Sequence, residues 1–278
     1  MTAIDQAGWN ARKQFLDRPD GRRIAFVDTA VDGPALLLVH GYTDSSRSWS
    51  LIEPFLTGMR LVMPDLPGHG LSTPAPVPTL DGLADDLAAL MAALGIGRYA
   101  VAGHSMGAMT ALALAGRHAG AVEEVASISG SLRPDLAAHA ELGRAILSLR
   151  DPIDPEAGLP RDWHHCSKPV EAEFLRHIAL EAAAIPAKVW RSLFEMLEIT
   201  DLSAASRAVQ APVLLLGGAD DALFDIRHRN ALAAAFPAAH AHVLEGHGHN
   251  PHWESPAAVA VLMRRFLENA SLASAGVQ

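Results

Sequence analysis

Ala100-Val101-Ala102-Gly103-His104-Ser105-Met106-Gly107-Ala108-Met109-Thr110-Ala111-Leu112 is the stretch on which the fold turns. Its first three residues are continuously apolar, as in a strand buried on both faces of a parallel sheet. Gly103 to Gly107 reads G-x-S-x-G, and from Ser105 to His118 the side chains are small and apolar almost all round, which predicts a buried helix. A strand that turns into a helix at a serine flanked by glycines is an elbow that holds the serine hydroxyl out of the sheet. The simpler reading is an ordinary strand-to-helix turn that happens to contain a serine. What surrounds the stretch decides between the two.

Working outward, further short apolar runs occur at Leu36 to Val39, Leu61 to Met63, Val125 to Ile128 and Val213 to Leu216, with another strand at His240 to Leu244. Around Phe15 and from Arg23 to Val27 a less apolar pair flanks Pro19-Asp20-Gly21, which reads as a hairpin. Helical stretches separate the runs. Thr79 or Asp81 caps one that ends before Gly95, and Pro256 to Leu267 forms another after Ser255, with the tail from Ala270 expected to fray. Strands alternating with helices predict an α/β fold, a mostly parallel, doubly covered sheet of about eight strands.

The alternation breaks between about Ser131 and Ala205. Asp151-Pro152, Asp154-Pro155 and Leu159-Pro160 mark loops there. Two amphipathic helices follow, with faces Phe174, Ile178, Ala182, Ile185 and Val189, Trp190, Leu193, Phe194, Leu197. The expected division is a core of residues 1–132 and 205–278 with an inserted helical cap at 133–204.

A serine hydroxyl needs a base to become a nucleophile, and the base needs an orienting carboxylate. Both belong on loops after later strands, in the order serine, acid, histidine. The strand ending at Leu216 is followed by Gly217-Gly218-Ala219-Asp220-Asp221-Ala222-Leu223-Phe224, and that ending at Leu244 by Glu245-Gly246-His247-Gly248-His249-Asn250. Ser105, one of the two aspartates and one of the histidines here (or His252) are the candidate triad.

With these segments the chain resembles the α/β-hydrolase family over nearly its full length. Val39-His40-Gly41 resembles the family's oxyanion-loop signature, and Asp65-Leu66-Pro67-Gly68-His69-Gly70-Leu71-Ser72 its second loop. The GHSMG elbow, the Gly-x-x-Asp segment, and Gly248-His249 ahead of Glu254-Ser255-Pro256 complete the set in order. The serine separates it from haloalkane dehalogenases and epoxide hydrolases, whose elbow carries aspartate. The resemblance favours Asp221 over Asp220, because Asp221 precedes an apolar ending, and favours His249 over His247 and His252. It also implies an oxyanion hole from the backbone N–H groups of Tyr42 and Met106. His40, His69 and His104 fall inside loop signatures and are expected to be structural. Cys166 is expected to act as a small buried hydrophobe.

The activity implied is hydrolysis of a small carboxylic ester or lactone through an acyl-enzyme, without cofactor or metal. Carbon–carbon hydrolysis of a vinylogous diketone, cofactor-free perhydrolysis and, least of all, a non-catalytic ligand receptor are the alternatives. Within the cap, Trp190 and Arg191 are the candidate substrate-binding residues.

The rest of the chain bounds the answer. The sequence has 278 residues, half of them hydrophobic, and a formal net charge of −9. That charge argues against nucleic acid as a partner, since a phosphate backbone calls for a basic face. No run approaches the ~20 apolar residues of a membrane span, and the polar start from Met1 to Arg12 does not read as a secretory signal. A single cysteine forms no internal disulfide. A cytoplasmic protein, a monomer or small homo-oligomer acting on a small molecule, is expected.

Overall fold

A computed structural model describes residues 4–275, so the first three residues of the polar start lie outside the described residues. The strands are β1 (Gln14–Asp17), β2 (Arg23–Asp28), β3 (Ala35–Val39), β4 (Arg60–Pro64), β5 (Tyr99–His104), β6 (Val122–Ile128), β7 (Val213–Gly218) and β8 (His240–Leu244). They form one eight-stranded sheet in the order β1-β2-β4-β3-β5-β6-β7-β8. β1 and β2 form the antiparallel hairpin, β2 also runs antiparallel to β4, and every other pair is parallel.

The continuous apolar runs follow from this sheet having two covered faces. Leu37 and Val39 of β3 and Val101 of β5 join a core cluster on one face, while Leu36, Leu38, Ala100 and Ala102 join a separate cluster on the other. Burying each leucine of β3 contributes about 1.5–3 kcal/mol, so the strand tolerates no polar alternate. The helices that cover the first face include α1 (Leu80–Ala93) and α2 (Met106–Arg117). Thr79, not Asp81, caps α1, its side chain accepting a hydrogen bond from the Gly82 N–H at 3.0 Å. α2 is buried from Met106 through Ala115, as its uniformly small side chains imply.

Between β6 and β7 the chain leaves the sheet and forms α3 (Ala140–Ser148), α4 (Gly158–Trp163), α5 (Ala172–Ala184) and α6 (Ala187–Glu198). The two amphipathic stretches are α5 and α6, and the residues of both apolar faces are buried. Pro152 and Pro155 lie in a loop as expected, whereas α4 forms where Leu159-Pro160 pointed to one. Pro160 is tolerated because it sits in the first turn of α4, where its missing N–H has no intrahelical acceptor to lose. These helices are tied to the loop after β3. Ser45 Oγ and Arg47 donate to the Glu181 carboxylate at 2.6–2.9 Å, and the Trp163 indole N–H donates to Thr43 Oγ1 at 2.7 Å.

The chain closes with α7 (Ile226–Ala235), α8 (Pro251–Glu254) and α9 (Pro256–Ala275). α9 continues through residue 275 rather than fraying from 270, because Ala-Ser-Leu-Ala-Ser-Ala contains no helix breaker. No helix of the described residues is long and apolar enough to cross a membrane.

Candidate active site

β3 and β5 lie side by side where the strand order reverses, and that reversal opens a crevice beyond the carboxyl ends of the strands. The loops after β3, β5, β7 and β8 all meet there. The turn from β5 into α2 is the tightest of them. Ser105 has φ 53° and ψ −117°, a conformation that costs a non-glycine residue about 1–3 kcal/mol. Its glycine neighbours make the turn possible. A Cβ on Gly103 would stand 2.1 Å from the Gly107 carbonyl oxygen, and one on Gly107 would stand 2.2 Å from that of Val39. Only hydrogen atoms fit in either place, so strand, elbow and helix close directly on one another.

Ser105 Oγ lies 2.9 Å from His249 Nε2, and His249 Nδ1 lies 2.9 Å from Asp221 Oδ2. An ionised carboxylate only accepts, so Nδ1 carries the imidazole proton and Nε2 presents its lone pair to the Ser105 hydroxyl. The other Asp221 oxygen accepts from the Leu223 and Phe224 N–H groups at 2.9 Å each. Burial works against the ionised form of Asp221, but His249 and these two N–H groups outweigh it and hold its carboxyl well below the usual carboxylate range. Asp220 is exposed and its side chain takes no part in this arrangement. Burial therefore separates two adjacent aspartates that sequence alone left open.

The rival histidines go elsewhere. His247 Nε2 bonds Ser255 Oγ at 2.7 Å, and fully buried His252 places Nε2 3.1 Å from Ser48 Oγ. His40 accepts from the Leu66 N–H at 2.8 Å and His69 from the Thr43 N–H at 3.2 Å, so both shape the loop around Tyr42. Burial lowers both imidazoles, His69 to about 3, and keeps them neutral acceptors. His104 does more than hold a turn. It directly precedes Ser105, and its Nε2–H donates to the His249 backbone carbonyl at 2.9 Å. Glu254 fixes the same loop from the other side by accepting from the Gly248 and Ser167 N–H groups.

Met106 is the first residue of α2, so its N–H has no intrahelical acceptor and lies at the positive end of the helix dipole. Tyr42 follows Gly41 near the start of the loop after β3. Its ring is buried and its hydroxyl donates to the Trp190 carbonyl at 2.7 Å.

Ser105 and His249 open into a cavity of about 630 Å³, counting its mouth. Met109, Leu136, Leu142, Ile146, Phe194, Leu197 and Leu223 line an apolar part, and Asp44, His104, His164 and Asn250 contribute polar groups. Trp163 closes it from α4 and packs edge-on against Tyr42. Trp190 and Arg191 are not among the described residues that line the cavity, which corrects the expectation for both. Trp190 is fully buried behind Tyr42 and Trp163, its indole N–H bonded to the Ala182 carbonyl. Arg191 donates to the Leu149 carbonyl at 2.9 Å and ties α6 to the end of α3. The apolar face of α6 is shared between packing and cavity, and periodicity does not say which residue meets which. Asp44 and Asn250 were missed, although both stand within three residues of a motif residue, at Gly41 and His249. Cys166 is half-buried, with its thiol pushed up to about 12 by burial. Among the described residues, no group of three or more histidine, cysteine or acidic side chains could hold a metal ion.

The sequence profile of the alpha/beta hydrolase family matches residues 36–262, which span the sheet from β3 onward and all four loops that meet at the site. The chain belongs to the alpha/beta hydrolase family. It is 33% identical over 257 residues to the pimeloyl-(acyl-carrier protein) methyl ester esterase of Aromatoleum aromaticum, covering 83% of this chain and 96% of the relative. Among solved structures, a hydrolase from Pseudomonas aeruginosa PA01 superposes with a TM-score of 0.80 at 26% identity, covering 92% of this chain and 98% of the other. A thermophilic esterase from Thermogutta terrifontis superposes with a TM-score of 0.78 at 27% identity, covering 93% and 98%. The protein is thus an alpha/beta hydrolase enzyme whose relatives include esterases.

Proposed function

We propose that this enzyme hydrolyses small carboxylic esters or lactones through an acyl-enzyme on Ser105. The observation that carries the reading is the unbroken relay Asp221–His249–Ser105, with both contacts at 2.9 Å and the serine held at a left-handed φ. In this reading His249 Nε2 takes the Ser105 proton as Oγ attacks the ester carbonyl. The Tyr42 and Met106 N–H groups stabilise the oxyanion of the tetrahedral intermediate, each contributing about 3 kcal/mol. The intermediate collapses as His249 passes the proton to the leaving alcohol. Water then gives a proton to His249 as it attacks the acyl-enzyme, and His249 returns that proton to Ser105 Oγ as the second tetrahedral intermediate expels the serine and the acid leaves. Asp221 stays ionised throughout and holds the imidazole in the productive tautomer.

The name of the Aromatoleum relative refers to a methyl ester, which supports an ester with a small alcohol as the substrate class. The cavity lining supports a mainly apolar body of modest size. Residues 133–204 act as the lid, with Trp163, Phe194 and Leu197 selecting among substrates and excluding water above Ser105. The reaction needs no cofactor. The test is a panel of p-nitrophenyl esters from acetate to octanoate, simple lactones and dienone diketones, followed through the first turnover. Short and medium esters should give a p-nitrophenol burst equal to the enzyme concentration. Cleavage of the diketones alone, or binding of esters without turnover, would replace this reading by a carbon–carbon hydrolase or a receptor.

A further inference from the structure

Five carboxylates are buried among the described residues: Asp44, Asp65, Asp86, Asp221 and Glu254. Four of them hold two or more donors at 2.9 Å or less. Asp65 has Lys13 Nζ and the Ser46 and Leu71 N–H groups, Asp86 has Arg22, Asp221 has His249 and two N–H groups, and Glu254 has two N–H groups. Asp44 differs. Its nearest polar neighbours are His164 Nε2 at 3.3 Å, Ser48 Oγ at 3.4 Å and His104 Nδ1 at 3.8 Å. Burial works against the ionised form of Asp44, and it is the two imidazoles, set at these long distances, that outweigh burial and hold the carboxyl well below the usual carboxylate range, with no short donor beside it.

The imidazoles beside it are equally short of partners. His104 is 3% exposed and gives its Nε2–H to the His249 carbonyl, so in its neutral form Nδ1 is a lone pair turned towards Asp44 Oδ2. That nitrogen makes no hydrogen bond, and neither does either ring nitrogen of His164, whose side chain is 9% exposed. Two acceptors face each other beside Gly41, where any side chain would crowd both. A Cβ on Gly41 would come within 2.8 Å of His104 Nδ1 and 3.1 Å of Asp44 Oδ2. All three side chains line the cavity that holds Ser105.

A hydroxyl has one proton and serves only one of two facing acceptors. A primary ammonium has three donors, no acceptor and the charge that Asp44 lacks. We propose that Asp44, His104 and His164 form a subsite for a primary ammonium group, so that the preferred ester carries a protonated amine beside its apolar part. The ester half of this statement rests on the function proposed above; the ammonium site does not.

Binding is therefore measured without turnover, by titrating n-hexylammonium and hexan-1-ol calorimetrically into the wild type and Asp44→Asn at pH 7. The wild type should bind the ammonium at least tenfold more tightly than the alcohol, and Asp44→Asn should bring the two within about twofold. In wild-type protein carrying labelled histidine, the ammonium and not the alcohol should shift the ring resonances of His104 and His164, a readout that survives if Asp44→Asn fails to fold. Equal affinities in the wild type, or a preference that persists in Asp44→Asn, would overturn the proposal. Ammonium preference without hydrolysis of any ester would instead refute the proposed activity and keep the subsite.

Discussion

Asp221→Asn tests the relay more sharply than removal of any whole side chain. The structure dictates how the asparagine must sit. One carboxylate oxygen of Asp221 accepts from the Leu223 and Phe224 N–H groups, and the other faces His249 Nδ1. An asparagine keeps its only oxygen on the two N–H donors and so turns its NH₂ towards His249. Nδ1 must then accept, which moves the imidazole proton to Nε2, where it confronts Ser105 Oγ. The base is present, correctly placed and in the wrong tautomer. By analogy with serine proteases the expected fall in kcat is about ten-thousand-fold, with KM changed far less. Asp220→Asn alters an exposed side chain and should stay within about threefold of wild type. The assay is p-nitrophenyl butyrate hydrolysis at pH 7.5, with circular dichroism to confirm folding. If Asp221→Asn kept more than a tenth of the wild-type rate, or Asp220→Asn were the more damaging, the relay described here would be wrong.

Three further outcomes follow from the packing and the buried charges. Gly107→Ala should be insoluble or lose several degrees of thermal stability, since its Cβ meets the Val39 and His40 carbonyl oxygens at 2.2 and 2.4 Å; an unchanged melting temperature would contradict that geometry. His69 is fully buried with its pKa lowered to about 3, against about 6.5 in the unfolded chain. The unfolded state therefore binds the proton first as pH falls, so stability is present above pH 6.5 and drops by roughly 2 kcal/mol for this one group by pH 5. His40, His104 and His252 shift in the same direction, and urea midpoints that stay flat from pH 7 to 5 would refute this. Trp163→Ala should shift the kcat/KM ranking of p-nitrophenyl esters towards longer acyl chains, whereas Trp190→Ala should cost about 3–5 kcal/mol of stability with the ranking intact.

Much of the fold was readable because a sheet covered on both faces writes itself as continuous apolar runs, and seven of the eight strands coincide with runs or patterns visible in the sequence; the eighth, β1, was marked only by Phe15. The nucleophile elbow was readable for a different reason, since Gly103 and Gly107 stand where no side chain fits. The choice of Asp221 over Asp220 rested on resemblance alone until burial separated them. Cap residues were the least legible. An amphipathic pattern identifies the buried face of α6 without distinguishing Trp190, which packs, from Phe194, which meets the cavity. Asp44 shows the same limit, because its peculiarity is the absence of close donors, and only three-dimensional neighbours reveal that.

The central claim is that Ser105 alone forms the covalent intermediate, and a fluorophosphonate probe reads it directly. Incubation with the probe should add one phosphonyl group per chain and abolish ester turnover in step. Peptide mass spectrometry should place that group on Ser105, and Ser105→Ala should remain folded, take up no probe and lose on the order of a million-fold in kcat. A phosphonyl group on any other residue, or an alanine variant that still hydrolyses esters at a comparable rate, would contradict the account.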